Sequence, residues 1–126
     1  MEATEVPIGN IGARGCQRRR TGGWVWSVIA AIAAGWMLSA HVSRALLLLL
    51  SVPIFFAALG FLQAREETCV FHAINGTREN DDGVVKLDER AQPEVARRAR
   101  RVWALSTAVT AGVLAIVFYV VLRMAR

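Results

Sequence analysis

Three uncharged runs, each bounded by arginine, occupy residues 21–43, 45–64 and 102–122. The hydrocarbon core of a bilayer is about 30 Å thick, and a helix rising 1.5 Å per residue crosses it in about 20 residues. Each run is long enough, so the spacing predicts an all-α membrane protein with three transmembrane helices. The first two form a tight hairpin and the third is a return helix. A chain of 126 residues leaves no room for a separate soluble domain beside them.

Charge sets the expected orientation. Four arginines precede the first run, one sits in the hairpin turn, eight cations lie between the second and third runs, and two follow the third. Three spans alternate sides, so the tally is 12 against 3. The positive-inside rule then puts the amino terminus and the long loop in the cytoplasm and the carboxyl-terminal tail outside. Arg123 and Arg126 oppose the rule, but they are a light load to translocate. Lys86 is the one lysine among 15 cations, a bias that suggests a GC-rich bacterial genome and hence the bacterial inner membrane. The net charge of +5 hugs the ends of the apolar runs, which points to anionic headgroups as partners and away from nucleic acid.

Four segments follow. Residues 1–20 read as a disordered cytosolic arm, 21–64 as the transmembrane hairpin, 65–101 as a basic cytoplasmic loop, and 102–126 as the third helix with a short tail. The arginines at 18–20, the apolar stretch after them and Leu38-Ser39-Ala40 have the outline of a secretory signal. The segment before the apolar stretch is long for one, and the uncharged run continues past the cleavage point, so an uncleaved helix is expected. Arg18-Arg19 lacks the rest of a twin-arginine signal.

Local signals refine this outline. Trp24, Trp26 and Trp36 near the ends of the first run fit interfacial anchors, with plain packing as the alternative. The short link around residues 41–44 forces an antiparallel hairpin, with Arg44 snorkelling at the turn. Pro53 removes the backbone bond to Leu49, so a bend is expected near there. Residues 64–75 read as a helical continuation of the second span. Asn75-Gly76 and Asp81-Asp82-Gly83 are turn signals, and 84–87 reads as no more than a strand fragment. Pro93 suits the first turn of a helix that runs through Arg97, Arg98, Arg100 and Arg101 into the third span, with Glu94 favourable to its dipole. The loop has too few apolar residues for a core of its own.

The candidate sites are sparse. Arg97, Arg98, Arg100 and Arg101 before the third span are expected to contact lipid headgroups. Ala104, Ala108 and Gly112 form a small-residue stripe for helix packing, chiefly within the chain, with Ala31 and Gly35 a weaker version on the first run. Cys69 is the candidate reactive thiol, expected to share a helix face with His72. Two ligands fall short of a zinc site, so no metal or other cofactor is expected. Cys16 and Cys69 form no CxxC pair, and in the cytosol both stay reduced. Only Arg65 is expected as a cation on the face of Cys69, with Glu66 and Glu67 beside it, so a slow thiol is expected. Asn75-Gly76-Thr77 matches a glycosylation sequon, and on the cytosolic side it is a turn. The spans carry no ionisable residue apart from His41 near an end, and no paired broken helices, so no catalytic residue is assigned and a transporter or membrane enzyme is disfavoured.

Residues 44–69, and less closely the hairpin from Trp24, carry a turn arginine, an apolar run ending in Ala58-Leu59-Gly60-Phe61, and Thr68-Cys69 just beyond. In this the chain resembles a family of short bacterial inner-membrane two-helix hairpin proteins of unknown function, found alone or as membrane anchors of some rhodanese proteins. It departs from that pattern at Leu62-Gln63, where the family usually has Cys-Pro, and in its long loop and third span. The resemblance implies a hairpin anchor and lends no catalytic residue. The expected role is a non-enzymatic scaffold or accessory subunit whose partners are lipids and other membrane proteins or itself. A self-associating holin-like pore and a membrane-tethered thiol carrier working through Cys69 are the alternatives.

Overall fold

A computed structural model of the chain describes residues 10–80 and 83–125. It is mostly helical (78%), and three helices are long and apolar enough to cross a membrane. Helix α1 spans Ala13–Ser39. The second membrane-length helix, Arg44–Arg65, is built from α2 (Arg44–Leu47), a 3-10 turn (Leu48–Leu50) and α3 (Ser51–Arg65). After it come α4 (Val70–Asn75), the antiparallel pair β1 (Thr77–Asn80) and β2 (Gly83–Lys86), and α5 (Gln92–Met124).

The 3-10 turn is the mark of Pro53. With no N–H to give Leu49, the chain tightens over Leu48–Leu50 just ahead of the proline, and the α-helix resumes at Ser51. Pro93 likewise opens α5 in its first turn, and the helix continues without a break from there to Met124.

Helix α3 lies in the middle. It packs against both α1 and α5, while those two make little contact with one another. On the α1 side the backbones nearly touch. A Cβ placed on Gly60 would lie 2.7 Å from the Arg19 carbonyl oxygen and 2.9 Å from the Gly23 nitrogen. One on Gly23 would press on the Phe61 ring at 3.0 Å. Glycine is therefore required at position 60 for the helices to approach this closely, while a Cβ at position 23 would need the Phe61 ring to give way. Around the crossing, Trp24 meets Phe61 edge-on and Trp26 stacks on Phe56, so two of the three tryptophans pack against α3. Trp36 is exposed. On the α5 side the buried stripe is Val95, Ala99, Val102, Ser106 and Thr110, at helical spacing, with Phe55 meeting Trp103.

Three expectations are corrected. The arm expected to be disordered over 1–20 is ordered from Asn10 and helical from Ala13; residues 1–9 lie outside the described ones. The helix expected over 64–75 is broken. Glu67 takes a left-handed φ of 51°, and the Thr68 N–H donates to the Gln63 carbonyl, which closes α3 in a Schellman motif. The 84–87 fragment has a partner, since Gly83–Lys86 pairs with Thr77–Asn80, so the protein is not wholly α-helical. The turn signals sit where expected. Gly76 caps α4 at φ 64° and Gly83 opens β2 at φ 141°, while Asp81 and Asp82 lie outside the described residues. His41, at φ 50°, ends α1 in the same way as Glu67 ends α3, with Val42 N–H bonded to the Met37 carbonyl.

Candidate functional site

A polar cluster below the α1–α3 crossing gathers the short arm, two helices and the β-pair around Glu79. Position 79 in β1 binds by its backbone and its side chain at once. Its N–H donates to the Asn10 carbonyl and its carbonyl accepts from the Gly12 N–H, each at 2.8 Å, so the arm pairs with β1. Its carboxylate takes Arg18 at 2.9 Å on one oxygen and Arg19 at 3.0 Å on the other, with His72 Nε2 at 3.5 Å. Arg19 is fully committed: its Nε donates to Gln63 Oε1 at 3.0 Å and its Nη1 to the Gly15 carbonyl. Burial by itself would raise the Glu79 pKa. The hydrogen bond and charge of Arg19, with Arg18 and His72, outweigh it and hold the carboxyl below its ordinary 4.5. A carboxylate engaged on both oxygens is a weak base, and the arrangement acts as a clasp.

Asn10 closes the other side. Fully buried, it accepts from the Cys69 N–H and donates to the Cys69 carbonyl at 3.0 Å, taking both backbone groups that a continued α3 would have used. Cys69 is consequently an extended residue ahead of α4, and it does not share a helical face with His72 as expected. His72 turns to Thr77, with Nδ1 2.8 Å from the hydroxyl. Cys69 is buried, and the cation beside it is Arg19, which sequence spacing does not place there. A cleft of about 430 Å³ opens next to the clasp, lined by Arg18, Trp26, Phe56, Leu59, Gln63 and Glu79.

The four arginines before the third run separate. Arg97 and Arg98 both reach Glu94, at 3.5 Å, within α5. Arg98 also donates to the Glu66 carbonyl, and Arg101 lies 3.9 Å from the Glu66 carboxylate, so two of the four tie α5 to the end of α3. Arg100 is exposed and makes no ion pair or hydrogen bond among the described residues.

Ala104, Ala108 and Gly112 are all exposed, and a Cβ on Gly112 would meet nothing within 4 Å. The expectation that this stripe packs chiefly within the chain is corrected: α3 takes the Val102–Ser106–Thr110 side of α5. Ala31 and Gly35 also face outward. The residues that sequence reasoning missed are Asn10, Arg18, Arg19, Gln63 and Glu79. Their only signal is a cation pair and a carboxylate some 60 positions apart in the chain.

No protein-family model, no curated protein and no solved structure matches the chain.

Proposed function

We propose that this protein is a non-enzymatic, three-span protein of the bacterial inner membrane, with its amino terminus and clasp in the cytoplasm and its carboxyl terminus outside. It acts as a scaffold or accessory subunit that docks against the helices of another membrane protein. The observation that carries this reading is the uncovered stripe of Ala104, Ala108 and Gly112. Small residues on an outward face admit a second backbone at close range, and none of the described residues covers that face. The lack of ionisable residues in the apolar part of the helices supports the same reading. The hairpin is read as an anchor of the kind that residues 44–69 resemble. Where that family has Cys-Pro, Gln63 here supplies the acceptor for Arg19. Burial of Cys69 speaks against the thiol-carrier alternative.

Native size in mild detergent tests the reading. The wild type is expected to run in a discrete complex with a second protein, well above its own 13.8 kDa. Gly112→Leu should release it as a monomer with unchanged helix content. A ladder of self-oligomers lost in the same variant would shift the reading to a holin-like pore. A native size unaffected by Gly112→Leu would remove the stripe from the account.

A further inference from the structure

We propose that the groove between α4 and α5 is a discrete site for one anionic phospholipid, its acyl chain on the groove floor and its phosphate on Arg100. The proposal rests on the membrane reading above and deepens it. The groove has a volume of about 340 Å³ and is floored by Val70, Ala73, Ile74, Ala96 and Ala99, with Arg100 and Trp103 on its α5 side.

Three features select the occupant. The groove straddles the boundary between the charged turns of α5 and its apolar run, with Arg100 on one side and Trp103 on the other. A phospholipid makes the same transition from phosphate to hydrocarbon, and tryptophan favours that depth. The floor is apolar, and Ile74 and Phe71 on α4 are left 79% and 69% exposed, which suits hydrocarbon and not water. The charge at the groove is uncompensated. Arg97, Arg98 and Arg101 are held by Glu94 or Glu66, whereas Arg100 has no partner among the described residues. A cation with no counter-ion beside an apolar slot is complementary to an anionic headgroup carrying an acyl chain.

The test uses the full chain in nanodiscs with Trp24, Trp26 and Trp36 changed to Phe, leaving Trp103 as the sole fluorophore at the groove. Dibrominated phosphatidylglycerol or dibrominated phosphatidylcholine is added to an otherwise neutral bilayer. Phosphatidylglycerol should quench Trp103 with about fivefold preference, the enrichment expected of one cation facing one anionic headgroup. Arg100→Gln should abolish the preference while leaving quenching by phosphatidylcholine intact. Arg97→Gln, which removes a charge already paired with Glu94, should keep it. Ala73→Leu should fill the slot and lower quenching by phosphatidylglycerol to the phosphatidylcholine level. Equal quenching by both lipids in the wild type would overturn the site, and so would an equal loss in Arg97→Gln and Arg100→Gln, which would mark a diffuse basic field. Absence of quenching by either lipid would instead refute the membrane reading on which the site depends.

Discussion

Gly60→Leu is expected to separate α1 from α3 and to lower the stability of the protein by about 3 kcal/mol or more. Overpacking a close-fitted site ordinarily costs about 1–3 kcal/mol, and here the obstruction is backbone, which cannot rotate aside as a side chain does. The first added carbon alone would sit 2.7 Å from the Arg19 carbonyl oxygen. Gly60→Ala should already destabilise, because the clash is with the Cβ itself. Because Arg19 leaves the crossing to reach Glu79, the clasp should loosen in the same variant. Thermal unfolding in detergent, followed by the fluorescence of Trp24 and Trp26 against the Phe61 and Phe56 rings, reads the change. Gly35→Leu is the control: a Cβ there meets nothing within 4 Å, and melting should be unchanged. Equal melting of the Gly60 and Gly35 variants would contradict the crossing.

The second large effect is expected at Glu79. Glu79→Gln keeps the shape and both backbone bonds to the arm but removes the charge that holds Arg18 and Arg19. Hydrogen bonds to a charged group contribute about 1.5–3 kcal/mol, and the carboxylate is only 16% exposed, so a loss of about 2 kcal/mol is expected. Hydrogen exchange at the Gly12 and Glu79 amides should accelerate about 30-fold, while exchange in the middle of α3 should not change. The pH dependence has a definite sign. The folded-state pKa of Glu79 is depressed, so its contribution is complete above the unfolded value, near 4.5, and disappears as pH falls through the lower folded value. Protection factors at Gly12 should therefore fall on acidification below about pH 4.5 in the wild type and stay flat in Glu79→Gln. A wild-type profile flat over that range would mean that the carboxylate is not the clasp.

What the sequence discloses here is its local physics. Pro93 and the unbroken apolar pattern after Arg101 are enough to place α5. Pro53 is enough to expect an irregularity in the second helix, although a bend is the form expected and a 3-10 turn the form found, and Gly76 and Gly83 mark their turns without help from the rest of the chain. The misses concern partners distant in sequence. Glu79 is one of ten acidic residues, and apart from His72 seven positions before it its partners lie far off in the chain, at 10, 12, 18 and 19. The end of α3 was hidden for the same reason: Asn10 takes the backbone groups of Cys69 from across the fold.

Small-residue periodicity failed differently. Ala104-Ala108-Gly112 and Val102-Ser106-Thr110 both repeat at near-helical spacing, two positions apart and so about 200° round the helix. Spacing alone cannot say which of the two meets α3, and the polar Ser106 and Thr110 proved to be on the buried side. Gly60 stands inside a familiar apolar run, and its close approach to Gly23 exists only once the two helices cross.

The most direct measurement of the central claim, that the chain crosses the membrane three times with its clasp inside, uses alkaline phosphatase, which is active only when exported. Fused after Arg126 it should be active, and fused after Lys86 it should be inactive. The reverse pattern, or activity at neither point, would contradict a cytoplasmic clasp and an outward carboxyl terminus.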